Sequence, residues 1–125
     1  DEIAANEFAD VVTEAAAGAF PDDPPRFLAR TPHGYHDVKL IGEELNAAGF
    51  SSLTITTLEE TSSAPSARHA AIGYCQGTPL RNEIEARDPN GLGDVTDRAA
   101  KAIAAQFGEG AVSGKVRGHV IAAVR

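Results

Sequence analysis

Two histidines, a tyrosine and an aspartate fall within the short segment from Thr31 to Asp37. Imidazole and carboxylate groups exchange protons near neutral pH and bind metal ions, so general acid–base chemistry or a partial metal site is conceivable here. The spacing of His33 and His36 lacks a third metal ligand, and Asp37 is placed to cap the helix that follows it. We expect a loop that either is purely structural or lines a substrate pocket, without a metal.

A second group of polar residues lies between Gly73 and Glu83, around the dipeptide Thr78-Pro79. Thr followed by Pro is typical of a helix start, and a helix N-terminus can bind an anion. The stretch is therefore either a capped turn between two helices or a lid over a substrate pocket. Within it, no His–Asp pair can be assigned to the single cysteine, Cys75. A small buried hydrophobic residue is favoured over a nucleophile at this position.

Hydrophobic periodicity predicts the elements that position these residues. Helices are predicted over 1–20 and from Asp37 to Gly49, followed by strands over 52–60 and 115–124. Three further helices begin near Ser66, Thr78 and Asp94. A proline-rich connection is predicted over 21–32, with a short extended piece at 26–30, and a linker is predicted over 61–65. These elements predict one α+β domain over 1–125, with a two- or three-stranded antiparallel sheet covered by about five helices.

The last predicted strand is apolar on both faces between Val120 and Val124. A strand buried on both faces has this pattern, and a two-stranded ribbon alone is marginally stable in water. We therefore expect the strand to have another neighbour, either from a larger sheet or from a second copy of the chain.

Composition narrows the function classes. The 125 residues have a net charge of −7, which argues against binding to nucleic acids or anionic membranes. One cysteine excludes an internal disulfide and fits a reducing compartment such as the cytoplasm. No long apolar run predicts a membrane span. The absence of methionine and an alanine-rich composition lead us to expect a piece of a larger protein.

The order of elements, with the turn Ala47-Ala48-Gly49-Phe50, resembles the C-terminal part of a class I S-adenosylmethionine-dependent methyltransferase of the ubiquinone-biosynthesis-like type. The segment Glu7 to Val12 is similar to the helix after the fifth sheet strand of that family. The segment from Thr31 to Phe50 is similar to the loop and last crossover helix. Residues 64–108, and Gly77 to Glu83 in particular, are similar to the helical insertion between the last two strands.

This resemblance implies a Rossmann-like sheet whose last two strands are antiparallel, with a small-molecule methyl acceptor bound on the side that this chain provides. It implies substrate-binding or lid roles for a set of five residues: His33, Tyr35, His36, Arg81 and Asn82. The glycine-rich loop and acidic residue that hold S-adenosylmethionine in the family are missing from the sequence, so this chain alone is not expected to bind the cofactor. We assign no catalytic base.

Two other functions remain open. The chain could be a non-enzymatic α+β binding or dimerisation module, in which a homodimer forms through the edge of strand 115–124. It could also be a small hydrolase or isomerase that uses the loop containing His33 and His36.

Overall fold

The computed structural model describes residues 1–125 and has six helices and one antiparallel pair of strands. The elements in chain order are a 3-10 turn Ile3–Ala5, α1 Glu7–Ala19, α2 Phe27–Arg30, α3 Val38–Ala47, β1 Ser52–Ala64, α4 Ala67–Gly77, α5 Leu80–Arg87, α6 Leu92–Phe107 and β2 Val112–Val124. The α+β class and the antiparallel sheet are confirmed. No helix has both the length and the apolar character that crossing a membrane requires.

Predicted helix ends are confirmed where a side chain or a glycine determines them. The Asp37 carboxylate accepts hydrogen bonds from the amides of Lys39 and Leu40 at 2.9 and 3.2 Å, which caps α3. Gly49 follows α3 with a φ of +90°, a conformation that glycine adopts without strain. The Ser66 hydroxyl accepts a hydrogen bond from the amide of His69 at the start of α4. Short-range patterns were sufficient at these three positions.

The first helix begins later than predicted, at Glu7, because Asn6 is held by two separate segments. Its side-chain amide donates to the carbonyl of Glu2, and its side-chain oxygen accepts from the amide of Arg117 in β2. Asn6 is only 3% exposed, so these bonds fix the chain direction just before α1. Residues 3–5 form a separate 3-10 turn as a result.

Two predictions about irregular segments were wrong. The piece 26–30, expected to be extended, contains the short helix α2. The linker predicted at 61–65 is mostly strand, since β1 continues to Ala64. In both cases a distant part of the chain is responsible: a carboxylate on α5 binds the start of α2, and β2 provides partners for β1 as far as Val112.

The two strands pair in continuous register from Ser52 opposite Val124 to Ala64 opposite Val112. Side chains alternate between the two faces, so Ile55 and Ile121 share one face and both are half-buried. The opposite face is uncovered toward the end of the chain, where three large apolar side chains are 47–63% exposed: Leu58, Val120 and Val124. Val120 and Val124 belong to the segment predicted to be apolar on both faces, and one of these faces is exposed.

The core lies between α1, α4 and α6 and contains many alanines. Ala9, Ala71 and Ala99 are fully buried, and such small side chains allow the three helices to approach closely. The Phe8 and Phe107 rings meet edge to face with centroids 5.0 Å apart. The core therefore holds α4 firmly, and α4 leads directly into the candidate site.

Candidate functional site

A cleft of about 340 Å³ separates α2 and its following loop from the corner between α4 and α5. One wall contains Phe27 and Leu28 of α2 and, from the loop after α2, the residues Thr31 to His33. The other wall contains Tyr74 of α4 and the turn from Gly77 to Pro79. Its surface is largely apolar, and its volume lies at the small end of the range for ligand pockets. The cleft joins the two stretches that the sequence marked as candidates.

The Glu83 carboxylate holds the first wall in place from α5. It accepts hydrogen bonds from the amides of Arg26 and Phe27, at 2.9 and 3.2 Å, and from the Arg30 guanidinium at 2.7 Å. Burial disfavours the charged carboxylate, but the hydrogen bonds and the charge of Arg30 outweigh burial and lower the pKa of Glu83. An ionised carboxylate thus fixes both ends of a four-residue helix that would be unstable alone.

The second wall is closed by Thr78. Its hydroxyl donates a hydrogen bond to the Tyr74 carbonyl at 2.7 Å and accepts one from the Leu80 amide at 3.2 Å. These bonds satisfy the end of α4 and the start of α5, as the predicted capped turn requires. Burial raises the pKa of the Tyr74 phenol, which therefore remains protonated at neutral pH.

His33 lies at the edge of the cleft with one ring nitrogen occupied. Its Nδ1 lies 2.9 Å from the carbonyl oxygen of Asp1, so this nitrogen must be the protonated one. Burial, the N-terminal ammonium and His36 all lower the pKa of His33, which favours the neutral ring. The neighbouring Gly34 matters for this position, because a Cβ there would overlap the carbonyl oxygen of Arg30.

Of the five predicted site residues, only His33 lines the cleft. Tyr35 is 57% exposed and donates a hydrogen bond to Glu44 of α3, which raises the pKa of the Tyr35 phenol. His36 is half-buried outside the cleft. Arg81 and Asn82 are exposed on α5, where Arg81 pairs with Glu85 at 2.9 Å. The structure thus does not bring the five residues together at one place.

The other candidate chemistry finds no supporting geometry. Cys75 is fully buried, and burial raises the pKa of its thiol to about 11, so the thiolate that a nucleophile needs is not formed. No group of three or more His, Cys, Asp or Glu side chains is arranged to hold a metal ion. His33 and His36 do not both face the cleft, which leaves the hydrolase or isomerase interpretation without a paired acid and base.

The described residues do not fit S-adenosylmethionine. In class I enzymes a strand leads through a glycine-rich turn into a helix, whose N-terminus faces the cofactor. Here β1 leads into α4 through Pro65 and Ser66, without a glycine-rich turn. The strand that leads into a helix therefore lacks the turn that could hold the cofactor.

A second feature is the outer edge of β2, which is only partly covered. The amides of Lys115 and Arg117 are bound by the side chains of Glu7 and Asn6, at 2.6 and 3.0 Å. These amides point away from β1, and so by strand alternation do those of three later residues: His119, Ile121 and Ala123. None of these three amides has a backbone partner beyond the sheet, so the edge is open over this shorter stretch.

No protein-family model matches the chain, and a search of curated proteins finds no significant match. Sequence reasoning assigned no role in the site to four residues, of which the last two lie in the candidate stretch 73–83: Phe27, Leu28, Tyr74 and Glu83. Glu83 was not predicted to bind α2, because its partners lie 53–57 residues away in sequence. The proline pair before Arg26 was a usable signal, since it leaves that segment dependent on an outside partner.

Proposed function

We propose that this chain is the acceptor-binding part of a class I S-adenosylmethionine-dependent methyltransferase. The supporting observation is the cleft that joins His33 to the turn from Gly77 to Pro79. These segments are more than 40 residues apart, and both belong to the stretches that carry the resemblance. An apolar cleft between them is suited to a small-molecule methyl acceptor.

The strand arrangement supports the same proposal. The family ends its sheet with two antiparallel strands, and the chain has one such pair. In a larger sheet, the open amides of β2 between His119 and Ala123 would donate hydrogen bonds to a further strand. The parent enzyme would be cytoplasmic, consistent with a single cysteine that is buried and unpaired.

The test is to express the reading frame extended upstream of Asp1 and to compare it with the 125-residue chain. We expect the upstream region to encode a strand, a glycine-rich loop and a later acidic residue. The extended protein should bind S-adenosylmethionine in calorimetry and transfer a tritiated methyl group. The shorter chain should give no binding heat.

Either of two results with the extended reading frame would refute the proposal. One is a start codon directly before Asp1, and the other is an extended protein that does not bind the cofactor. Micromolar binding of S-adenosylmethionine by the 125-residue chain alone would also overturn it, because the cofactor would then occupy residues that the proposal assigns to the acceptor.

The second candidate is a non-enzymatic module that dimerises through β2. Its support is the open edge from His119 to Ala123, together with the exposed apolar side chains of Val120 and Val124 on the adjoining face. A second copy placed antiparallel along this edge would satisfy the free amides of both strands. The bound amides of Lys115 and Arg117 restrict the contact to the last part of the predicted 115–124 edge.

Light scattering over a range of protein concentrations tests this candidate. We expect the mass of a dimer for the wild type and of a monomer for Ala123→Pro. Proline at this position removes an outward amide and leaves the bonds between β1 and β2 in place. A monomeric wild type at high concentration, or a variant that still dimerises, contradicts dimerisation through this edge.

A further inference from the structure

The walls of the cleft contain no charged side chain. Arg30 and Glu83 lie behind the first wall and neutralise one another. An ion that entered the cleft would lose part of its hydration shell without meeting a counter-charge, which is unfavourable. The cleft is therefore suited to an uncharged ligand with an apolar body.

Three residues that line the cleft have a polar side-chain atom with no hydrogen-bond partner in the chain: Thr31, Tyr74 and His33. The hydroxyls of Thr31 and Tyr74 can donate or accept, whereas the free nitrogen of His33 has a single role. The Nδ1 of His33 donates to the Asp1 carbonyl, so Nε2 of the neutral ring has a free lone pair and can only accept. No donor of the chain binds Nε2, and no unpaired side-chain nitrogen or oxygen of the structure is buried, so Nε2 is accessible from outside. The burial that lowers the pKa of His33 keeps this acceptor available at neutral pH.

We propose that the cleft binds a small uncharged alcohol or phenol, whose hydroxyl group donates a hydrogen bond to Nε2 of His33. The carbon body of the ligand lies against the apolar walls, of which Phe27 and Pro79 are parts. This inference rests on the proposed function only where it names that ligand as the methyl acceptor. Binding of the ligand itself requires only residues of the 125-residue chain.

Amide NMR spectra of the isotope-labelled chain test the proposal with phenol as the probe. Anisole has the same ring but no hydroxyl hydrogen, and benzoate and benzylammonium add a negative or a positive charge. We expect phenol to shift the amide signals of Tyr74, Gly77 and Thr78. Anisole should bind about 3- to 10-fold more weakly, since one hydrogen bond is lost. The two ions should leave these signals unchanged.

The variant His33→Phe keeps a flat ring and removes the acceptor nitrogen. We expect it to bind phenol and anisole equally well, whereas His69→Gln, which changes an exposed imidazole on α4, should keep the preference for phenol. The wild-type comparison of phenol with anisole needs no variant and remains decisive if His33→Phe does not fold. The proposal is overturned by equal binding of both probes to the wild type, by shifts outside the cleft, or by no shift up to the solubility of phenol.

Failure of this inference differs from failure of the proposed function. If the extended protein transfers methyl groups to amines or carboxylates but phenol does not bind here, only the ligand class is wrong. If phenol binds at His33 and the extended protein does not bind S-adenosylmethionine, the cleft is a binding site without methyltransferase activity.

Discussion

Replacing Glu83 by alanine should destabilise the chain more than any other single change to an exposed or half-exposed charge. The side chain is 20% exposed and accepts two amide hydrogen bonds and one guanidinium hydrogen bond. A hydrogen bond to a charged group contributes about 1.5–3 kcal/mol, and an exposed ion pair about 0–1 kcal/mol. Water can replace part of this at the exposed Arg26, so we expect a loss of about 2–3 kcal/mol.

Urea unfolding followed by circular dichroism measures this loss. With a slope of about 1–2 kcal/mol per molar urea, the midpoint of Glu83→Ala should fall by roughly 1–3 M. The matched control is Glu85→Ala on the same helix, which removes only the pair with Arg81 and should cost at most about 0.5 kcal/mol. A Glu83→Ala midpoint within experimental error of this control would refute the idea that Glu83 holds α2 in place.

The pH dependence provides a second test of the same side chain. The pKa of Glu83 is lowered in the folded chain from its usual 4.5, so the unfolded chain binds a proton more readily. The stabilisation is therefore complete above pH 4.5 and is lost as the pH falls through the lower folded pKa. The stability difference between wild type and Glu83→Gln should shrink over this acid range. A constant difference contradicts an ionised Glu83 as the source.

Three further predictions concern the cleft and the core. The lowered pKa of His33 means that protonation favours the unfolded chain. Wild type should therefore lose more stability than His33→Gln as the pH falls below 6.5. Urea unfolding at several pH values measures this, and an equal loss in both proteins would contradict it. Native Cys75, with its pKa near 11, should resist a thiol reagent until urea unfolds the chain; full labelling without urea would show that the thiol is accessible. Gly34→Ala should cost about 1–3 kcal/mol and shift the cleft amides, because its Cβ overlaps the Arg30 carbonyl. The control Gly42→Ala has free space in α3 and should stabilise by about 0.5–1 kcal/mol; equal effects of the two changes would contradict the steric argument.

Local signals in the sequence were reliable where the cause was itself local. Asp37 and Ser66 cap helices through amides two or three residues away, and Gly49 ends a helix by its own conformation. The alternation of side chains between two faces is a property of each strand alone, whereas the pairing of Ile55 with Ile121 depends on the register between the strands. The sequence therefore determined the α+β class, the two strands and the main helices.

The site required distant contacts that no local pattern encodes. His33 was a predicted site residue, but its tautomer depends on the Asp1 carbonyl, 32 residues earlier in the chain. Tyr35, Arg81 and Asn82 looked equally suitable in sequence, and their helices and loops turn them toward solvent. A polar side chain is a candidate for the site by its chemistry, whereas the direction in which it points depends on how whole helices and strands pack.

The sequence alone determined which residues could form helices, strands and caps, because hydrogen bonds and sterics between near neighbours decide these features. Only the tertiary structure decided that 26–30 is helical, that β1 reaches Ala64 and that His33 faces the turn at Gly77. The physical reason is the same each time: Glu83, β2 and the core under α4 supply partners from far along the chain. Such partners stabilise a local conformation that the segment by itself would not maintain.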